Sequence, residues 1–259
     1  VNELQPNNIA VKKVIYKNIS QPQKIKLSIV LPFYKKLDIC SNLIDSIYNK
    51  SLYIDFEIIA VSDDTANLGT EQFFSNIPRA KYFCTQKNKG FGHAVNLGLE
   101  KANNELVCIM HSDTVVTEQK MFANLVNDLL SLKNQGVVTV SATTNNFMSK
   151  EFVSYQQNES ADLDPVIIQR PSPFICTMGY KTILLKAGGF PEYPFCWFEG
   201  DMMGARLAKL GYKQAISKRA FVKHLGGATV LDLIKNNSSA KTTIAENFKL
   251  YKRDLEILV

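Results

Sequence analysis

The stretch VCIMHSDTVV, Val107–Val116, opens with four apolar residues and then turns polar at His111, Ser112, Asp113 and Thr114. The apolar part suits a strand buried inside a sheet. An imidazole, a hydroxyl and a carboxylate at its end cost free energy if buried without partners. Two readings follow. Ser and Asp are common turn and helix-capping residues, so the stretch could be a plain turn. Alternatively, it is a site at the carboxyl edge of a parallel sheet, where α/β proteins bind ligands.

The flanking sequence favours such a sheet. Leu27–Phe33 (LSIVLPF) reads as a strand, and Leu37–Lys50 carries Leu37, Cys40, Leu43, Ile44, Ile47 and Tyr48 at helical spacing. Phe56–Val61 and Ala80–Cys84 are further strands, Gly92–Ala102 a helix, Leu106–Met110 the opening strand, Glu118–Leu132 a helix and Val137–Ser141 a strand. Strands alternating with helices imply right-handed crossovers and a mostly parallel, Rossmann-like sheet. The rhythm breaks after Ala142. Residues 143–173 are polar and hold Pro165, Pro171 and Pro173, which reads as a long loop and a candidate lid over bound ligand. Order returns at Phe174–Tyr180, followed by a short helix to Ala187, a helix over Glu199–Leu210, and short strands at Lys213–Ile216 and Ala220–His224. A polar joint, Asn236-Asn237-Ser238-Ser239, precedes a helix near Ile244–Leu258.

The 259 residues, 46% of them hydrophobic, suffice for one large domain or one and a half, the lesser part being a smaller second region. The predicted division is an arm (1–26), a ligand-binding half (27–142), a second half (143–230) and a helical tail (231–259). The net charge is +6, of which Lys12, Lys13, Lys17, Lys24 and Lys26 against Glu3 place +4 on the arm and leave +2 for the rest. That distribution excludes the basic face that nucleic-acid binding demands. The arm reads as solvated, with peripheral contact to an anionic membrane surface as the alternative. No apolar run approaches a membrane span, and the first 26 residues lack the apolar core of a signal peptide. Cys40, Cys84, Cys108, Cys176 and Cys196 form no CxxC pair and read as reduced core thiols of a cytoplasmic protein.

Three predicted strands end alike: in Pro32-Phe33-Tyr34, in Asp63-Asp64 and in His111-Ser112-Asp113. In a parallel sheet those ends share an edge, and carboxylates gathered there call for a cation, most simply a hard divalent ion. NKGFGHAVNLGL (Asn88–Leu99) matches the dinucleotide fingerprint only in part, and there is no GxxxxGK[ST] phosphate loop. In FCWFEGDMMGARLAKLGY (Phe195–Tyr212), Glu199 and Asp201 stand at a helix start behind Trp197, the only tryptophan. Acidic residues there can simply complement the helix dipole. They also supply what a sugar-processing enzyme needs: a base for a hydroxyl, beside a flat apolar surface for a pyranose ring of the acceptor.

Taken in order, LSIVLPFYKK, FEIIAVSDDT, NKGFGHAVNLGL, IMHSDTVV, AGGFPEYPFCWFEGDMMGARLAKLGY and AFVKHLGGAT resemble the family 2 glycosyltransferases of the GT-A fold. The flavour is that of the rhamnosyltransferase-like branch, and the resemblance spans roughly Lys26 to Val230. It implies an inverting transfer from a nucleotide-diphosphate sugar to a hydroxyl of a glycan or lipid-linked acceptor, with Mn²⁺ or Mg²⁺ bound. By position, Pro32, Phe33, Tyr34, Asp63, Gly90, Ser112 and Asp113 would bind the donor. Asp113, as the last acid of the DxD motif, would hold the metal with His224, and His111 stands in the motif's first position. Ser62 replaces a frequent first aspartate. Gly200 falls where the catalytic aspartate usually lies, so the base is Asp201 or Glu199. Asp201 is favoured, because a glycine before it could let the backbone re-aim that side chain. The alternative is a non-catalytic nucleotide- or glycan-binding module of a larger glycan-assembly protein.

Overall fold

A computed structural model describes residues 25–51, 54–145, 164–168, 171–226 and 240–258. Its core is a nine-stranded sheet. The first half runs β1 (Lys26–Phe33), α1 (Leu37–Lys50), β2 (Asp55–Ser62), α2 (Leu68–Ser75), β3 (Ala80–Cys84), α3 (Phe91–Lys101) and β4 (Leu106–Met110). After it come β5 (Thr114–Val116), α4 (Met121–Ser131), a 3₁₀ turn at Lys133–Gln135, β6 (Val137–Thr144), β7 (Val166–Ile168) and β8 (Cys176–Tyr180). The chain continues through α5 (Lys181–Lys186), α6 (Glu199–Lys209), β9 (Lys213–His224) and α7 (Ala240–Leu258).

The two-residue period of a strand sorts the core into two layers. Leu27, Ile29, Leu31 and Phe33 of β1 join Ile58 and Ala60 of β2 under α1, α2 and α4. Val30, Ile59 and Val61 face the other way, toward Ala94, Val95 and Leu99 of α3 and Met203 and Leu207 of α6. Gly98 lets α3 lie close, since a β-carbon there would collide with Val30. Helix α2, which the sequence pattern does not announce, is short; Asn67 starts it by accepting from the amides of Gly69 (2.9 Å) and Thr70 (3.2 Å).

The strand order is β3-β2-β1-β4-β8-β6-β9-β5, with β7 alongside β9. The predicted parallel sheet is what β3, β2, β1 and β4 form. Beyond β4 the directions mix: β8 lies antiparallel between β4 and β6, and β5 and β7 are antiparallel to β9. The two short strands read at 213–224 are one strand, whose pairing with β6 slips between Ser217 and Phe221. That bulge is where Lys218 and Arg219 interrupt the apolar pattern. The segment read as a loop and candidate lid at 143–173 contains the end of β6 and all of β7; its residues 146–163 and 169–170, about two thirds of it, fall outside the described residues. Most of the arm and the Asn236–Ser239 joint also lie outside them. No helix among the described residues is long and apolar enough to cross a membrane.

Candidate active site

The parallel strands deliver their polar ends to one edge. At the end of β4 the amide of His111 donates to Ile175 (2.8 Å), extending the pairing with β8. Ser112 and Asp113 then turn the chain into β5, braced by the Thr114 hydroxyl on the His111 carbonyl (2.7 Å). Thr114 pairs with His224 across β5 and β9, and the Leu225 amide donates to the Asp113 carbonyl (2.8 Å). Regular pairing thus carries a histidine from a strand more than a hundred residues away to the HSDT turn. One ligand atom each of His111, Asp113 and His224 lies within 4.8 Å of the other two. His224 Nε2 stands 3.2 Å from Asp113 Oδ1, and the two imidazoles meet edge to face at 5.8 Å.

This donor set fits a divalent cation. Burial pushes the His111 imidazole down to about 4, with His224 adding to the fall and Asp113 opposing it, so the ring is neutral and open to a metal at neutral pH. Two imidazoles beside a carboxylate form a mixed nitrogen and oxygen set of the kind Mn²⁺ accepts, and one softer than Mg²⁺ prefers.

Asp63 is buried at the end of β2 and saturated. Its Oδ1 accepts from the Thr85 hydroxyl (2.9 Å) and the Lys89 amide (2.8 Å), and its Oδ2 from the Gly90 amide (2.8 Å). It therefore fastens the 88–90 turn to the sheet edge. Gly90, at φ +97°, leads into α3 with its backbone directly against the Tyr193 carbonyl, so a β-carbon has no room there. The next amide, of Phe91, donates to Phe195 (2.6 Å), and the Phe91 ring meets His111 edge to face at 5.1 Å. Pro32 is buried and Tyr34 half-buried at the end of β1. The Phe33 ring, expected against the nucleotide, instead packs in the core with Phe74 (5.7 Å) and Tyr82 (6.5 Å). Alternation explains this: position 33 shares the face of Leu31.

Glu199 and Asp201 separate. Glu199 opens α6 and is buried, 3% exposed, with its stem over Gly92 of α3. Its Oε1 meets no hydrogen-bond donor among the described residues. Burial pushes its carboxyl well above the ordinary range, helped by Asp201 and opposed by the backbone N–H groups of Glu199 and Trp197. Cys196 is half-buried, and burial, with the charges of Glu199 and Asp113 adding to it, pushes its thiol well above the ordinary range. Asp201 is exposed, and its charge is felt by Tyr251 of α7.

Gly200 has another role than the one its sequence position suggested. It sits in helical backbone, without positive φ, and a β-carbon there would meet the Ser172 carbonyl at 2.8 Å and Phe174 at 3.3 Å. Close packing against the 172–174 segment, not a re-aimed chain, requires the glycine. The unusual backbone lies just before it: Phe195, Trp197 and Phe198 take φ of 62°, 96° and 72°. Trp197 is half-buried in that turn.

Several residues that build the site carry no local signal. Asn96 bridges to Phe190 by two 2.8 Å hydrogen bonds, and Arg206 donates to Gly189 (2.6 Å), so the Gly188-Gly189 turn is pinned from both sides. Asn247 of α7 donates to Pro194 (2.7 Å) and Cys196 (3.1 Å). Its one clue is an asparagine on the apolar stripe marked by Ile244, Phe248, Tyr251 and Leu255.

Residues 28–182 match the family model described as Glycosyl transferase family 2. A curated relative from Haemophilus influenzae, an uncharacterized glycosyltransferase, is 31% identical over 99 residues, which are 37% of this chain and 39% of that protein. Among solved structures, S. aureus TarS 1-349 superposes with a TM-score of 0.57 at 14% identity, covering 77% of this chain and 60% of its own. The mannosyltransferase PcManGT from Pyrobaculum calidifontis, in complex with GDP-Man and Mn²⁺, gives 0.56 at 16% identity over 86% of this chain and 64% of its own. The chain thus spans less than two thirds of each of these relatives, and at such identities the structural likeness is one of fold.

Proposed function

Since this chain belongs to glycosyl transferase family 2, we propose that it moves a sugar, with inversion, from a nucleoside-diphosphate donor to a hydroxyl of a glycan or lipid-linked acceptor. The observation that carries the reading is the His111–Asp113–His224 cluster at the sheet edge. The Mn²⁺ and GDP-Man in the related mannosyltransferase support a metal and a nucleotide sugar here. Similarity of GFGHAVNLG and HSDT to the rhamnosyltransferase-like branch makes a deoxyhexose the first sugar to try. A cytoplasmic chain whose lysine-rich arm touches an anionic membrane would suit a lipid-linked acceptor.

His111, Asp113 and His224 would hold the divalent ion, which when bound supplies Lewis-acid neutralisation of the diphosphate's negative charge. The rest is done by the chain's own groups. Glu199 is the base of choice over Asp201. It is buried where Asp201 is exposed, burial raises its carboxyl well above the ordinary range, and its Oε1 meets no donor among the described residues. It takes the proton of the acceptor hydroxyl as that oxygen bonds to the anomeric carbon. The carbon–oxygen bond to the diphosphate breaks on the opposite face, and the electron pair leaves with the phosphate. Asp201 lies about 200° further round the helix, toward solvent and Tyr251. Trp197 offers its ring to the acceptor sugar.

The test is release of nucleoside diphosphate from UDP-, GDP- and dTDP-linked sugars with Mn²⁺ and a panel of glycan acceptors. Release that EDTA and Asp113→Ala abolish is the expected result. Release that persists in EDTA overturns the metal assignment. Nucleotide binding without turnover across the panel points instead to a binding module, for which Gly200 in place of the usual aspartate is the motive.

A further inference from the structure

Helix α7 lies wholly outside the matched residues 28–182, yet it grips the turn that delivers Glu199. Three non-glycine residues of that turn, Phe195, Trp197 and Phe198, hold positive φ within four positions. Such backbone is strained for residues that carry a side chain and persists only where the surroundings over-determine it. Here the surroundings come from two sides. On the donor side the turn rests on Gly90, and Phe195 accepts the Phe91 amide. On the other side stands α7. Asn247, 0% exposed, donates one amide group to both the Pro194 and the Cys196 carbonyls. The Tyr193 hydroxyl donates to Asp254 Oδ2 at 2.9 Å. The Phe198 ring lies between Phe248 (5.4 Å) and Tyr251 (5.5 Å, 14° between planes).

We propose that α7 is a working part of the site: Asn247 and the Tyr193–Asp254 pair clamp the 193–198 turn, fix the aim of Glu199, and act as positioning residues for the transfer step. The inference rests on Glu199 being the base. A buried carboxamide facing two carbonyls is a specific device, because an apolar residue of equal size leaves both acceptors unpaired. The clamp's hydrogen bonds, from Asn247 to Pro194 and Cys196 and from Tyr193 to Asp254, end on the turn before Glu199 and on α7, so its loss should bear on Glu199 first and slow turnover while nucleotide binding is kept.

Two variants test this, Asn247→Leu and the milder Tyr193→Phe, with Lys249→Ala on the exposed face of α7 as control. Trp197 is the only tryptophan and sits inside the clamped turn, so its fluorescence reports the turn without any assay of activity. Expected in both variants are a shifted emission and greater acrylamide quenching. Affinity for UDP or GDP with Mn²⁺ and the donor KM should stay unchanged, while kcat falls, by up to about a hundredfold for Asn247→Leu, as a small misplacement of a catalytic group costs. Lys249→Ala should match the parent in every readout. Unaltered Trp197 quenching with parental kcat in Tyr193→Phe overturns the proposal, as does nucleotide affinity falling in step with kcat. If no donor is turned over by the parent chain, the transferase reading fails, and the quenching result still decides the clamp.

Discussion

The two sides of the site are built from different materials. On the proposed donor side, His111, Asp113 and His224 are set by strand pairing, and Asp63 ties the 88–90 turn down with main-chain donors. On the proposed acceptor side, Glu199 follows a turn with three residues at positive φ, pressed between Gly90 and helix α7. A regular ladder places charged ligands firmly at little conformational cost. The strained turn feeds a desolvated carboxylate into the first position of α6. Damage on the first side should therefore appear as lost ligand affinity, and damage on the second as lost rate.

Glu199→Gln gives the sharpest break of that contrast. Removing a general base costs about 10²–10⁴ in rate, so kcat should fall by that factor while affinity for nucleoside diphosphate with Mn²⁺ is kept. Because burial raises the Glu199 carboxyl, the parent should lose kcat as pH falls through a value above the ordinary carboxylate range. The residual activity of the variant should lack that acid limb. Asp201→Asn, at an exposed position, should retain most of the rate. If Asp201→Asn instead takes the larger loss, the two carboxylates exchange roles.

Phe33→Ala strikes the donor side from beneath. Its ring fills the core beside Phe74 and Tyr82, and such truncations cost about 3–5 kcal/mol. Chemical denaturation should show the loss. A ring lining the nucleotide pocket would instead lower affinity and leave stability nearly intact.

Gly200→Asp, which restores the acidic residue usual at that position, should fail to help. The new β-carbon meets the Ser172 carbonyl, and overpacking of this kind costs about 1–3 kcal/mol. A gain in kcat without loss of melting temperature would show that the 172–174 segment yields more easily than its packing suggests.

How much of this was legible in the sequence also differs between the sides. The alternation of β1, β2 and β4 and the polar ends of those strands are local patterns, and they placed Asp63 and Asp113 just past the ends of β2 and β4, where the structure has them. His224 was reachable through the resemblance, although nothing local tells that β9 runs beside the HSDT turn. Strand direction is not written in composition, so order was expected again at Phe174–Tyr180, but not a strand lying antiparallel between β4 and β6. Lys218 and Arg219 looked like a break in a strand and are a bulge within one. Gly200 was read for conformational freedom, whereas tertiary packing demands it. Phe33 was assigned to the pocket by its motif, while the period of the strand, equally present in the sequence, sent the ring to the core.

The smallest effect separates a base kept for function from a carboxylate kept for the fold. Burial raises the folded-state pKa of Glu199 above its unfolded value, so its ionised form opposes folding. The sign follows: the fold is favoured at pH low enough to protonate this group in both states, and loses that contribution as pH rises through the folded-state pKa. Glu199→Gln keeps the size of the side chain and removes the charge. At neutral pH it should stabilise the protein, and the gain should vanish toward acid. Thermal melts of parent and variant across the acid range measure it. A variant less stable than the parent at neutral pH would mean that the carboxylate is held by partners and supports the turn, leaving the acceptor side without its base.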